Sequence, residues 1–153
     1  MKKILIFGLP GSGKTTLARA LAPRLRAVHW NADSVRANIN THLGFSESDR
    51  EEQAKRMGWL CDQVVKSGNY TIADFVCPTK ATRDIFGPCY KIWMNTIDES
   101  RFEDTNKMFE VPKHDGFDLC INKWNAEFWA KYIAEELDYI EKPTFVKTLL
   151  RNL

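Results

Sequence analysis

Residues 8–15 read Gly-Leu-Pro-Gly-Ser-Gly-Lys-Thr, a G-x-x-x-x-G-K-[ST] segment without a mismatch, and no other stretch constrains the fold as tightly. Ahead of it, Lys3 to Phe7 form an apolar, β-rich run that Gly8 ends. Behind it, Leu17, Ala20 and Leu21 recur at helical spacing from about Lys14 until the pattern fades at Pro23. Strand, glycine-rich loop and helix in that order place several backbone N–H groups at the positive end of a helix, which suits a chain of phosphates. Gly8, Pro10, Gly11, Ser12, Gly13, Lys14, Thr15 and Thr16 are the expected cradle for ATP. Lys14 would reach the β- and γ-phosphates and Thr15 would ligate Mg²⁺.

The rest of the chain alternates in the same manner. Ala27 to Trp30 is a short strand running into Asn31-Ala32-Asp33. Ser46-Glu47-Ser48-Asp49 is a capping box that opens a helix to about Lys66, where Gly68-Asn69 turns the chain. Tyr70 to Val76, Tyr90 to Asn95 and Phe117 to Ile121 read as strands, with a helical stretch at Lys80 to Ile85. Asn125 caps a C-terminal helix over about 125–141, with Trp129, Ile133, Leu137 and Ile140 on one face; Val146, Leu149 and Leu150 add one docking turn. Strands alternating with helices predict an α/β fold around a parallel sheet covered on both faces.

With 153 residues, no repeat and no linker, one domain over 1–153 is expected. No apolar run approaches the ~20 residues of a membrane span. Lys2-Lys3 before an apolar run imitates a secretory leader, but the polar segment from Gly11 to Thr16 breaks it, so none is expected. Cys61, Cys77, Cys89 and Cys120 form no C-x-x-C pair, which fits buried thiols in a reducing cytoplasm. A net charge of +2 from 22 basic and 20 acidic residues gives no argument for nucleic acid or membrane as partner.

Phosphoryl transfer needs a carboxylate near the acceptor hydroxyl or the metal. Asp33 and Asp74 both lie at strand ends on the ligand side of the sheet. Asp33 could equally cap the helix that carries Val35 and Arg36, and Asp74 could be a satisfied buried carboxylate. Arg50 falls on the stripe of Ala54, Met57, Cys61 and Val64, the inward face of the long helix, with Gln53 beside it. An arginine there needs an anion: a substrate group, or Asp33 or Asp49 within the chain. Residues 101–116, with Arg101, Lys107, Lys113 and His114 among acids, read as a lid or a solvated loop. His29, His42 and His114 lack metal-ligand spacing.

These residues resemble those of the adenylylsulfate kinases. The likeness covers roughly residues 1–125: the cradle, Asn31-Ala-Asp33-Ser-Val-Arg36 against D-G-D-N-V-R, Leu43-Gly-Phe45-Ser46 followed by Asp49-Arg50 and Glu52, Phe75-Val-Cys77-Pro78 against F-I-S-P, and Glu110-Val-Pro112. The resemblance implies a three-layer P-loop fold with a five-stranded parallel sheet of order 2-3-1-4-5 and a lid. It implies transfer of the ATP γ-phosphate to the 3′-hydroxyl of adenylylsulfate. Asp33 would orient that hydroxyl, Arg36, Arg50 and Gln53 would hold the substrate, and Phe45 would stack on its adenine. Lys14, Asp33 and Asp74 are then the catalytic candidates, with Thr15 and Asp74 on the metal side.

The sequence also departs from the family. Asn31 replaces an Asp, Ser34 and Gln53 replace Asn, Cys77 replaces a Ser, and Asp74 stands where a small residue is usual. The lid Asp104-Thr-Asn106-Lys-Met-Phe109 lacks the family's Lys-Gly-Leu-Tyr run. Met1-Lys-Lys-Ile, Pro10-Gly-Ser-Gly-Lys and Asn31-x-Asp33-x-x-Arg36 also resemble phage polynucleotide 5′-hydroxyl kinases, over about residues 1–40. A kinase acting on nucleic acid or a modified nucleotide is therefore the second reading, and a non-catalytic nucleotide-binding switch the third. A small nucleotide is the expected partner, and a homodimer stays open.

Overall fold

A computed structural model describes residues 1–153. In chain order the elements are β1 Lys3–Phe7, α1 Lys14–Leu25, β2 Val28–Asn31, α2 Ala32–Asn38, α3 Glu47–Lys66 and β3 Thr71–Asp74. They continue with α4 Lys80–Phe86, β4 Tyr90–Met94, α5 Glu103–Met108, β5 Leu119–Ile121, α6 Ala126–Glu141 and α7 Thr144–Arg151. The five strands form one sheet in the order β2-β3-β1-β4-β5, and every pairing is parallel. Helices cover both faces, as the alternation predicts.

The central strand β1 is buried at all five residues, and its alternation feeds two cores. Ile4 and Ile6 join Leu17, Ala18, Leu21, Ile72, Ile92, Ile133 and Leu137 beneath α1 and α6. Leu5 and Phe7 join Ala54, Met57, Cys61, Ala73 and Phe86 beneath α3 and α4. Gly58 lets α3 and α4 approach, since a Cβ there would lie 2.5 Å from the Phe86 carbonyl oxygen.

Several local expectations shift. Helix α1 runs through Pro23 to Leu25 and turns Ala18, not Ala20, fully inward. Asn31, not Asp33, caps α2: its side chain accepts from the Ser34 N–H. The capping box before α3 is half made, because Ser46 accepts from the Asp49 N–H while the Asp49 carboxylate turns back to the Gly44 N–H at 2.9 Å. Strand β3 stops at Asp74 rather than Val76, and the chain turns away through Cys77 at φ 44°. Strand β5 begins at Leu119 rather than Phe117. In α6, Ile133 and Leu137 are buried but Ile140 is exposed. Helix α7 forms but buries none of its residues, so Leu149 and Leu150 do not dock against this chain. No helix is long and apolar enough to cross a membrane.

Candidate active site

The C-terminal ends of β1, β2 and β3 open onto a cleft of about 1210 Å³, the place where ligands bind in open parallel sheets. One wall is the loop between β1 and α1. Gly8 lies against β4 there, where a Cβ would meet the Met94 carbonyl oxygen at 2.6 Å. Gly13, at φ 99°, lies under the Trp124 indole, whose ring would be 2.2 Å from a Cβ. Inside the loop the Ser12 hydroxyl is buried without a hydrogen-bond partner. A donor left unpaired in a phosphate-shaped loop is suited to a ligand oxygen.

Lys14 is 8% exposed, and its ammonium donates to the Leu9 carbonyl oxygen at 2.9 Å. Burial pulls its pKa from 10.5 down to about 8, against the pull of Asp74 and Asp33 in the other direction. The cradle thus holds a cation that burial destabilises and that an incoming phosphate would stabilise.

Behind the lysine lies a polar cluster built by α1, β2 and β3. Parallel register pairs Asn31 with Asp74 across the β2–β3 ladder. Thr15, on the first turn of α1, donates its hydroxyl to Asp74 Oδ1 at 2.9 Å. The Asn31 amide donates to the Thr15 hydroxyl at 3.2 Å and to the two carboxylate oxygens of Asp74 at 3.2 and 3.3 Å. His29 Nε2 bonds Asp74 Oδ2. Asp74 is 2% exposed, so these partners supply the compensation a buried carboxylate requires. No group of three or more His, Cys, Asp or Glu side chains could cage a metal. A hydroxyl beside a carboxylate is instead the oxygen-donor set that holds Mg²⁺ together with phosphates, so the residues fit that ion.

The opposite wall is α2, the loop before α3, the first turns of α3, and α5. Asp33 reaches the cleft with its side chain 89% exposed. Its contact to the Arg36 guanidinium is long, at 3.5 Å, and Arg36 Nε is buried without a partner. Arg50 makes no ion pair with Asp33 or Asp49; it donates to the Phe45 carbonyl oxygen at 3.1 Å and to the Thr105 hydroxyl at 2.9 Å. Burial depresses the pKa of both arginines, and for Arg50 the neighbouring Arg36 adds to it. The Phe45 ring, 61% exposed, has the Arg36 guanidinium 4.4 Å and the Arg50 guanidinium 5.5 Å from its centroid. Two cations without a close carboxylate flank an aromatic face, an arrangement suited to an anionic aromatic ligand.

Most sequence candidates therefore meet in one cleft. Gly8 and Ser12 lie beneath its wall rather than along it. Gln53 lines the cleft at 1% exposure, yet its carbonyl accepts from Asn40 at 2.8 Å and its amide donates to the Ala32 carbonyl oxygen at 3.3 Å, so it braces α2 on α3. The segment 101–116 carries helix α5, which the charge pattern concealed; its buried Thr105 ties it to Arg50. Its C-terminal root is fixed by Arg83, which donates to the Pro78 and Glu110 carbonyl oxygens at 2.9 and 2.7 Å. Sequence reasoning missed the roles of Trp124, Thr105 and His29. For His29 a signal existed, since it alternates with Asn31 along β2 and so shares its face.

Residues 2–97 match the family described as adenylylsulphate kinase. An adenylyl-sulfate kinase of Gloeothece citriformis is 34% identical over 86 residues, which cover 53% of this chain and 49% of that protein. The chain thus spans about half the length of the curated relatives it matches. Among solved structures, the APS kinase CysC of Mycobacterium tuberculosis, in complex with AMPPNP and APS, superposes with a TM-score of 0.76 at 18% identity, covering 90% of this chain and 97% of that one. A sugar kinase from Janibacter sp. superposes with a TM-score of 0.71 at 18% identity, covering 90% and 95%. At such identities the superpositions establish the P-loop kinase fold, and that fold serves more than one kind of acceptor.

Proposed function

Because the chain belongs to the adenylylsulphate kinase family, we propose that it transfers the γ-phosphate of ATP to the ribose 3′-hydroxyl of adenylylsulfate. The observation that carries this reading is the pair of arginines, Arg36 and Arg50, that share the exposed Phe45 ring without a close carboxylate partner. A phosphosulfate would neutralise the guanidinium groups and an adenine would stack on the ring, so one ligand answers both features.

In this reading the cradle binds the triphosphate, with the Ser12 hydroxyl and loop N–H groups on its oxygens. Lys14 leaves the Leu9 carbonyl oxygen for the β- and γ-phosphates, where its charge offsets the charge of the transferring group. Thr15 and Asp74 would hold Mg²⁺, which when bound neutralises phosphate charge. Asp33, solvated in the cleft and only loosely paired with Arg36, accepts a hydrogen bond from the acceptor hydroxyl, aligning it and receiving its proton. The Arg50–Thr105 hydrogen bond ties α3 to α5 and so fixes the two parts of the acceptor wall against each other.

A polynucleotide acceptor would call for a long basic groove, and the +2 net charge offers little sign of one. The test is a side-by-side assay of ADP release with adenylylsulfate, 5′-hydroxyl oligonucleotides and hydroxymethylated DNA at two salt concentrations. Adenylylsulfate should raise ADP release above the ATP-only background, with a product carrying a 3′-phosphate. Transfer to an oligonucleotide with none to adenylylsulfate would overturn the assignment. ATP binding without any acceptor-dependent release would favour a switch.

A further inference from the structure

We propose that His29 is a positioning residue for the metal-side carboxylate: its Nε2 fixes Asp74 so that Oδ1 faces the Thr15 hydroxyl. This rests on the reading that Thr15 and Asp74 hold Mg²⁺ together. The placement begins with strand alternation. His29 and Asn31 point to one face of β2, and the register pairs them with Ile72 and Asp74 of β3. That face meets α1, because Ile6, which pairs with Asp74, packs with Ile72 on Leu17 and Ala18. His29 is thus a diagonal neighbour of Asp74, and both look toward the helix whose first turn carries Thr15.

The carboxylate at this position has a choice to make. Its terminal torsion is broad and nearly two-fold, so nothing intrinsic decides which oxygen faces Thr15. Asn31 cannot decide it, because its amide contacts Oδ1 and Oδ2 almost equally, at 3.2 and 3.3 Å. Asn31 is itself held, since its carbonyl accepts from the Ser34 N–H at 3.0 Å as the cap of α2. Two partners distinguish the oxygens, Thr15 at Oδ1 and His29 at Oδ2. Of the two, only His29 lies outside the proposed metal pair. It bonds Oδ2 alone, and an ionised carboxylate only accepts, so Nε2 carries the hydrogen. With Oδ2 held by His29, Oδ1 is the oxygen turned to the Thr15 hydroxyl 2.9 Å away, and a cation there would take the place of the Thr15 donor bond. Groups that hydrogen-bond a ligating side chain orient it in this way.

The residue is also replaceable without opening a core. It lies on β2, at the edge of the sheet, with its side chain 18% exposed.

The experiment is calorimetric titration of the whole chain with a non-hydrolysable ATP analogue, once with Mg²⁺ and once with EDTA. The ratio of the two affinities reports metal coupling independently of turnover. His29→Leu should lose roughly ten-fold or more of the Mg²⁺-dependent gain, the usual cost of removing a residue that orients a metal ligand. Its affinity in EDTA should match the unaltered chain. His29→Gln, whose terminal amide can donate from nearly the same point, should recover most of the gain. A His29→Leu ratio equal to that of the unaltered chain would overturn the proposal, and so would an equal loss with Mg²⁺ and with EDTA. Asp74→Asn separates the two levels of the argument. If it loses the gain while His29→Leu keeps it, only the positioning role fails; if it too keeps the gain, the metal-side reading of Asp74 fails.

Discussion

The two walls of the cleft are built on opposite principles. On the donor wall the polar side chains around Lys14 and Asp74, unlike the Ser12 hydroxyl, already have protein partners. Lys14 rests on Leu9, Thr15 on Asp74, and Asp74 on Asn31 and His29, all in a setting where Asp74 is 2% exposed. On the acceptor wall Asp33 is mostly solvated, Arg36 has a buried Nε with no partner, and Arg50 leans on a carbonyl and a hydroxyl. The donor wall follows from β1, β3 and α1, whose cores are shared, so its geometry is fixed by folding. The acceptor wall hangs on the short α2, a loop and α5, and its charges are completed by what binds. In the proposed reading the preformed wall binds the component common to all kinases, and the incomplete wall selects the acceptor.

The comparison can be strained first where the effect should be largest. Lys14→Ala should lower turnover by about a hundred-fold or more, because in the proposed reading it removes the cation that meets the transferring phosphate. Its thermal midpoint should hold or rise, since the lost charge was desolvated. Near-normal turnover would move catalysis off the donor wall.

Next, the two carboxylates should part. Asp33→Asn should abolish transfer and leave Mg²⁺-dependent nucleotide affinity intact, whereas Asp74→Asn should weaken that affinity and recover in part as Mg²⁺ is raised. Metal titration of both variants decides it, and matching responses would erase the distinction between the walls.

A smaller effect concerns protons. Lys14 falls from 10.5 to about 8 in the folded chain, so between those values the folded state binds fewer protons than the unfolded one. Its share of stability therefore rises with pH across that window, the reverse of a lysine gaining a carboxylate. Triphosphate binding should raise its pKa again, so nucleotide binding near pH 8.5 should take up a proton. Calorimetry in two buffers of different ionisation enthalpy would register the uptake, and Lys14→Ala should remove it.

Much of the donor wall was legible because its signals are local. Gly8 to Thr15 is one uninterrupted motif, and β1 is bounded by the residues that bound it in the sequence. Asp74 was legible as a strand-end carboxylate, but its partners were not, since pairing His29 and Asn31 with it needs the register between strands far apart in the chain. Arg50 betrayed itself by sitting on an apolar stripe. Gln53 did not reveal that Asn40 would claim its carbonyl, a contact that depends on how α2 lies against α3. Helix α5 was hidden because its stabilising contact, Thr105 to Arg50, is tertiary and its own six residues carry no apolar period. The exposed α7 shows the converse: an amphipathic pattern suffices for a helix and does not say where its face will rest.

The most direct test of the contrast between the walls is a pair of binding isotherms on the Arg36→Ala/Arg50→Ala double variant. One uses a non-hydrolysable ATP analogue with Mg²⁺, and the other uses adenylylsulfate with that analogue saturating. Both arginine side chains are partly exposed, so each should be worth about ten-fold in affinity for a bound anion rather than the larger cost of a fully buried pair. The account predicts an unchanged analogue affinity and a loss of about a hundred-fold for adenylylsulfate. An unchanged adenylylsulfate affinity, or an equal loss for both ligands, would contradict it.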